Sequence, residues 1–105
     1  YIDNVVQMNL LCLVTENDNA FNQVYNTAVG DRTNLKELTH LLKRNLAEYD
    51  SDIAEVEIKH GPNRPGDIPH SLASVEKAKK LLNYNPTHRI EDGLREATHW
   101  YWDNL

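Results

Sequence analysis

The residues best suited to bind a charged ligand lie in one short segment, His60–His70. Three prolines stiffen this segment, and Gly66 lets a ligand approach the main chain closely. The forked guanidinium of Arg64 suits a diphosphate, and the carboxylate of Asp67 suits a pair of hydroxyls such as a ribose diol. On spacing alone, however, a solvated loop with an Arg–Asp ion pair is the better interpretation.

The other reactive side chains lack the spacing of a catalytic or metal site. The five histidines form no i, i+4 pair and have no cysteine partner at zinc spacing. Ser71 follows His70, but no nucleophile elbow surrounds it. Cys12 lies inside an apolar run, which predicts a buried, inert thiol. We therefore predict no metal site and no catalytic residue in this chain.

Composition sets the class of protein. The chain has 105 residues, 40% of them hydrophobic and 26% charged, which is typical of one globular domain. The formal net charge of −5 argues against nucleic acid as the main partner. No apolar run approaches the ~20 residues of a membrane span. The single cysteine fits a reducing cytoplasm, which is the predicted location.

Hydrophobic periodicity predicts four helices. The first covers about 4–14 and begins with Asp3 as its cap; the second follows Thr33 or Asn34, with Glu37 completing a capping box. The third follows Ser74 and ends at Tyr84, and the fourth covers about 90–103. The inward residues predicted for the last three helices are Leu35, Leu38, Leu41, Leu42, Leu46, Val75, Ala78, Leu81, Leu82, Ile90, Leu94, Ala97 and Tyr101.

Two short segments have the pattern of strands. Residues 24–29 are apolar on both faces, which suits a buried parallel sheet, and residues 55–59 alternate like an exposed or edge strand. The first helix is apolar on nearly every side, and a helix of that kind is normally buried all round. A chain of this length has little protein to surround it, so we predict that a larger partner domain completes the protein.

Several stretches together resemble a known family. They are Tyr1–Val6, Tyr25–Asp31, Arg64–Ser71, Lys77–Leu82, Tyr84–Pro86 and Gly93–Leu94. In this order they resemble the C-terminal part of extended short-chain dehydrogenase/reductases, closest to NAD-dependent UDP-N-acetylglucosamine/UDP-glucose 4-epimerases. The Arg-x-Gly-Asp-x-x-His-Ser stretch is the most specific. One departure is Ser74, where relatives often have Asp.

The resemblance implies an α/β fragment, mostly helical with two or three short strands. Residues 1–30 would supply the terminal helix and strand of an incomplete Rossmann domain, and residues 31–105 the nucleotide-sugar substrate-binding domain. The family's glycine-rich NAD turn and its catalytic Tyr-x-x-x-Lys pair do not occur in this sequence. NAD would therefore be bound by a missing N-terminal domain of the same protein, and this chain would not be catalytic alone.

The resemblance also assigns substrate-binding roles. Arg64 matches the arginine that holds the diphosphate, Asp67 the acid that meets the ribose hydroxyls, and Ser71 a position lining the sugar pocket. The implied partner is a UDP-sugar in polysaccharide biosynthesis, and we expect the protein to be a homo-oligomer. Two alternatives remain open: the equivalent portion of a nucleotide-sugar dehydratase or decarboxylase, and a self-contained helical interaction module.

Overall fold

The computed structural model describes residues 1–62, 65–66 and 71–105. This part of the chain contains four α-helices, α1 (Ile2–Val14), α2 (Leu35–Ala47), α3 (Glu76–Leu82) and α4 (Ile90–Asn104), and two 3₁₀ turns, Asp18–Ala20 and Ser51–Glu55. The chain forms two compact units. Unit 1 consists of Tyr1–Asp31 and Leu72–Arg89, and unit 2 of Arg32–Ser71 and Ile90–Leu105.

Unit 1 contains every buried apolar side chain of the described residues. Its core consists of Met8, Ala20, Val75, Ala78, Leu82 and Tyr84. The Asn17 side chain donates to the Leu81 carbonyl at 3.0 Å, which ties the first 3₁₀ turn to α3. Arg89 pairs with Asp31 at 3.2 Å, so an ion pair joins the last residues of the two stretches that build this unit.

Helix α1 begins earlier than predicted. Its N-cap is Tyr1, which makes no side-chain cap bond, and Asp3 lies inside the first turn. The prediction that Asp3 caps the helix is therefore wrong. Its carboxylate instead has a favourable position near the positive end of the helix dipole. Only Asn4 and Met8 are buried, so α1 contacts its own unit along a narrow stripe.

The ends of α3 explain its short length. The Ser74 hydroxyl is 3.5 Å from the Glu76 amide, and Val75 occupies the N-cap position. At the other end Asn83 adopts a left-handed conformation with φ 54°, and its amide bonds to the Ala78 and Lys79 carbonyls. Asparagine tolerates this conformation better than most residues. The helix therefore begins after Val75 instead of Ser74 and ends at Leu82, two residues before the predicted end at Tyr84.

Helices α2 and α4 contact each other in unit 2, and α2 also contacts the second 3₁₀ turn. Asn34 and Glu37 form the predicted capping box, with each side chain bonded to the other's backbone amide. The burial within this unit is shallow. Asn45, Gly93 and Thr98 are its buried helical residues, and the inward leucines of α2 are half-buried. Leu35, predicted as part of that stripe, is 77% exposed.

The outer ends of α4 are also more exposed than predicted. Leu94 and Ala97 are half-buried, as an inward stripe requires. Ile90 and Tyr101, which were predicted on the same stripe, are 41% and 56% exposed. The stripe is therefore correct in the middle of the helix and wrong at its two ends.

The predicted α/β fold class is wrong for the described part of the chain, because residues 1–62, 65–66 and 71–105 contain no strand. Side chains occupy backbone carbonyls that a neighbouring strand would use. Lys77 donates to the Val24 carbonyl and Tyr84 to the Ala28 carbonyl, at 3.2 and 3.0 Å. In the second segment, Glu55 ends a 3₁₀ turn and the Val56 carbonyl accepts from Lys43 at 2.6 Å. A pattern typical of strands forms a sheet only where a partner strand supplies the ladder.

None of the helices in the described ranges is long and apolar enough to cross a membrane.

Candidate nucleotide-sugar site

The structure describes one of the three predicted substrate-binding residues. Arg64 and Asp67 lie outside the described residues, so their placement stays a prediction. Ser71 is described and exposed, at the end of the first stretch of unit 2. Between these residues Gly66 has φ 88°, a left-handed conformation that a side chain would strain, and a Cβ there would meet no atom within 4 Å. A glycine is therefore favoured at position 66 by the backbone conformation and not by lack of space for a side chain.

An open groove of about 610 Å³ lies in unit 2 beside the residues that lead into this segment. Lys36, His40 and Lys43 line one wall from α2, at spacings of four and three residues that place them on one helix face. The other wall is formed by residues 54–58 and His60. Because Lys43 bonds to the Val56 carbonyl at 2.6 Å, α2 and this wall are held together.

The groove carries both signs of charge. Lys36 and Lys43 supply positive charge, and Glu55 and Glu57 supply negative charge from the opposite wall. A phosphate would therefore meet cations on α2 and repulsion from the 3₁₀ turn, so the described walls alone make a weak anion site. Sequence reasoning missed this helix face. The signal that could have identified this face is the i, i+4, i+7 spacing of Lys36, His40 and Lys43.

A second, mostly apolar cavity of about 420 Å³ lies between α2 and the start of α4. Leu41 and Ile90 supply its apolar surface, and His40 lines both this cavity and the groove. The polar lining consists of Thr33, Glu37, Arg44 and Glu91. This cavity is lined by unit 2 alone, and the predicted substrate-binding residues do not contribute to it in the described part of the chain.

Two tyrosines with raised pKa values, Tyr25 and Tyr84, belong to unit 1 and pack in or against its core. Burial raises the pKa of the Tyr84 phenol. The pKa of Tyr25 is also raised, mainly by desolvation and to a smaller extent by the nearby Cys12. Each hydroxyl donates to a carbonyl, Tyr84 to Ala28 and Tyr25 to Ala20 at 2.8 Å. Both groups support the fold. Cys12 itself is exposed, so the prediction of a buried thiol is wrong.

The residues present do not form a dinucleotide site. The four glycines, at positions 30, 61, 66 and 93, are too far apart in sequence for a glycine-rich phosphate turn. Gly30 has a different role: its φ is 73°, and a Cβ would lie 3.4 Å from the Val75 side chain, so it makes the turn against the core.

Comparison with known proteins places UDP-sugar epimerases among the relatives. A UDP-glucose 4-epimerase of Cyamopsis tetragonoloba is 29% identical over 87 residues, which cover 83% of this chain and 23% of that protein. UDP-glucose 4-epimerase 3 of Oryza sativa subsp. japonica is 32% identical over 76 residues, 72% of this chain and 19% of that protein. A UDP-glucuronate 4-epimerase of Thermodesulfobacterium geofontis is 41% identical over 39 residues, 37% of this chain and 12% of that protein.

No family model matches the chain. The chain spans less than a quarter of the length of these curated relatives. It is therefore similar to a portion of UDP-sugar 4-epimerases. The similarity agrees with the predicted resemblance to UDP-sugar 4-epimerases. It does not distinguish N-acetylated sugars from other UDP-sugars.

Proposed function

We propose that this chain is the substrate-binding portion of a nucleotide-sugar 4-epimerase that acts on UDP-N-acetylglucosamine and UDP-N-acetylgalactosamine. The observation that carries the proposal is the similarity of most of the chain to a stretch of two UDP-glucose 4-epimerases. In this proposal Arg64 holds the diphosphate and Asp67 the ribose hydroxyls. A remote anchor of that kind suits a reaction in which the sugar must turn over while the nucleotide stays bound.

The catalytic step belongs to another part of the whole protein. None of the five tyrosines is followed four residues later by lysine, and the chain has no dinucleotide turn. We therefore propose that a Rossmann domain of the same protein holds NAD and that the whole protein is a cytoplasmic enzyme of polysaccharide biosynthesis. When bound, NAD would accept a hydride from the sugar's C4 and return it. This chain's residues would bind and orient the nucleotide.

The choice of sugar rests on Ser71. A serine is small and leaves room for an acetamido group at C2 of the sugar, whereas an aromatic ring at the same position would occupy that volume. Ser71 is exposed in the structure, as access to a ligand requires. Overpacking a filled site costs about 1–3 kcal/mol, equivalent to about a 5- to 150-fold change in rate.

The test is Ser71→Tyr in the whole enzyme. We expect kcat/KM for UDP-N-acetylglucosamine to fall about 5- to 150-fold relative to UDP-glucose. Ser71→Ala, which keeps the small volume, is the matched control and leaves the ratio unchanged. An unchanged ratio in Ser71→Tyr would remove the support for N-acetylated sugars.

The helical architecture favours a second candidate, a self-contained interaction module. The described residues contain helices and no strand, and much of α1 is apolar and exposed. A whole protein that neither binds nor turns over any UDP-sugar would favour this candidate. The exposed Trp100 and Tyr101 near the end of α4 support the further proposal that the whole protein is a homo-oligomer, which sedimentation measures.

A further inference from the structure

Aromatic rings lie where helices α2 and α4 end beside each other in unit 2. Tyr49 follows α2 by two residues, and Trp102 lies two residues before the end of α4. Their rings stack with centroids 5.1 Å apart and an interplanar angle of 25°. The His99 ring stacks on the same tyrosine, at 6.2 Å and 12°. We call these three residues the aromatic cluster of unit 2.

The aromatic cluster is open to solvent. Tyr49 is 39% exposed, Trp102 is 43% exposed, and the His99 side chain is 66% exposed. The stack covers part of each ring, and the rest of the ring surface faces water. Tyrosine and tryptophan are enriched at protein contact surfaces, because a large rigid ring supplies contact area at a low cost in conformational entropy. The cluster therefore has the composition of a docking surface.

The charge around the cluster indicates the sign of its partner. Residues 45–58, which include Tyr49, carry five acidic side chains and no lysine or arginine. Residues 96–105 also lack lysine and arginine, and they include Asp103, whose carboxylate Oδ2 lies 3.5 Å from the His99 Nδ1. The carbonyl ends of two helices meet at the cluster as well, and each adds partial negative charge. This surface attracts cations and repels phosphate and nucleic acid.

Aromatic rings beside a carboxylate fit arginine better than lysine. A guanidinium is planar, so it can stack on an aromatic face while its forked donors bind both oxygens of a carboxylate. A lysine ammonium can also lie over a ring, but it pairs with a carboxylate as a point charge. The Asp103 side chain is 56% exposed, so an incoming guanidinium can reach it.

We propose that the aromatic cluster is a docking surface for an arginine-bearing segment of a partner protein, with the guanidinium stacked on the exposed rings and paired with Asp103. The inference goes beyond the proposed function, because it involves neither the nucleotide sugar nor its three predicted binding residues. It is also separate from the proposed homo-oligomer contact. Trp100 and Tyr101 lie on other sides of α4 and pair edge-on with each other at 5.1 Å.

The first test is calorimetric titration of the whole protein with a capped peptide of alternating glycine and arginine. We expect a Kd of about 1 mM or below, because several weak contacts act together. The same peptide with citrulline, which keeps the shape of arginine without its charge, should bind at least about tenfold more weakly. Equal affinities for the two peptides, or no saturable binding of the arginine peptide up to about 10 mM, would overturn the proposal.

The second test locates the bound peptide. We expect Trp102→Leu to raise the Kd about fivefold or more, because the stacking surface is lost. Trp100→Leu is the matched control, since Trp100 is 58% exposed on the same helix and stacks on neither Tyr49 nor His99. This control should leave the Kd unchanged. Equal effects of the two substitutions would place the peptide elsewhere and contradict the proposal.

A substitution that keeps the rings in place tests the carboxylate. We expect Asp103→Asn to raise the Kd about threefold or more, because the guanidinium loses its charged partner. Asp18→Asn removes the same charge at an exposed position of unit 1 and should change the Kd much less. Equal effects of the two changes would mean that net charge alone attracts the peptide, and the proposal would be wrong.

Hydroxyl-radical labelling of Trp102 distinguishes the other occupants of this surface. We expect Trp102 in the whole protein to be labelled at a rate close to that of Trp100, and the arginine peptide to slow this labelling. Leu35, which is 77% exposed on α2, should be labelled at the same rate with and without the peptide. Protection of Trp102 at every protein concentration would show that another part of the polypeptide covers the cluster. Protection that rises with concentration would show that a second copy does, and either result would overturn the proposal.

Discussion

At the scale of single residues, Asn4 joins the start of α1 to the segment that precedes α4. It is 3% exposed, and its amide satisfies a turn far along the chain. The side chain donates to the His88 carbonyl at 2.7 Å and accepts from the Thr87 and His88 amides at 2.9 and 3.2 Å. A buried asparagine in an apolar helix is therefore satisfied almost entirely by backbone.

Removing this amide should destabilise the chain. We expect Asn4→Ala to lower the free energy of unfolding by about 2 kcal/mol, because two backbone amides and a carbonyl in a partly buried contact lose their partner. Asn9→Ala is the control, since Asn9 lies on the same helix and is exposed. Urea denaturation measures both variants. Equal effects of the two changes would show that the Asn4 bonds contribute little.

Tyr84 makes stability depend on alkaline pH. Burial raises its pKa above the ordinary value of 10.0, so the folded chain holds the phenol proton more tightly than the unfolded chain does. This contribution is fully present below about pH 10 and is lost as pH rises through the folded pKa. Tyr25, whose pKa is also raised, acts in the same direction.

We therefore expect the free energy of unfolding to fall above about pH 10 and to fall less steeply in Tyr84→Phe. At neutral pH the same variant should lose about 1 kcal/mol, because the bond to the Ala28 carbonyl is gone. Tyr101→Phe, at an exposed position, is the control. A Tyr84→Phe profile parallel to that of the unchanged protein between pH 9 and 12 would contradict the assignment.

At the scale of elements, the contact between α2 and α4 contains polar groups that it does not satisfy. Asn45 and Thr98 are 4% and 5% exposed. The Asn45 Nδ2 and Thr98 Oγ1 atoms have no hydrogen-bond partner among the described residues. Burying an unsatisfied polar group lowers stability, so this helix pair is less stable than its apolar residues would allow.

Thr98→Val should therefore stabilise unit 2. Valine keeps the shape of threonine and removes the unpaired hydroxyl, and we expect a gain of about 1 kcal/mol in thermal or urea unfolding. Thr39→Val is the matched control, because the Thr39 hydroxyl does donate, to the Leu35 carbonyl at 2.7 Å. It should give no gain. A loss of stability in Thr98→Val would show that the Thr98 hydroxyl has a partner, such as a buried water.

The elements also show how far the sequence alone predicts this protein. Helices α2, α3 and α4 were predictable because hydrophobic periodicity and the Asn34–Glu37 box are local signals, although α3 ends two residues earlier than predicted. The prediction of strands was wrong because an alternating or apolar pattern does not specify a partner strand. In residues 24–29 the side chains of Lys77 and Tyr84 donate to the backbone carbonyls instead.

The burial of polar groups and the candidate site were harder to predict. The burial of Asn4 and Asn45 depends on contacts with other parts of the chain, which no local pattern encodes. The prediction that Cys12 is buried was wrong for a related reason, because an apolar run does not show which side of its helix is covered. The substrate-binding roles of Arg64, Asp67 and Ser71 stay predictions, since Ser71 is the sole member of this set among the described residues.

At the scale of the whole molecule, the proposed nucleotide site is divided between this chain and the rest of the protein. We expect the 105 residues alone to bind UDP weakly, with a Kd far above about 1 µM. The resemblance implies that a second phosphate-binding arginine and the base-binding segment lie outside the chain, and the groove in unit 2 offsets its lysines with two glutamates. Calorimetry measures the affinity. Micromolar binding would show that the site is complete within this chain.

The path of the chain through its two units has a consequence for synthesis. The chain leaves unit 1 after Asp31, builds most of unit 2, returns at Leu72 and leaves again after Arg89. On the ribosome, the first stretch of unit 1 must therefore wait for residues that are made about 3 to 12 s later, at ordinary elongation rates. During that delay the side of α1 that carries Met8 lacks its partners in α3. Because each unit is built from two separate stretches, neither unit can be exchanged as a contiguous genetic cassette.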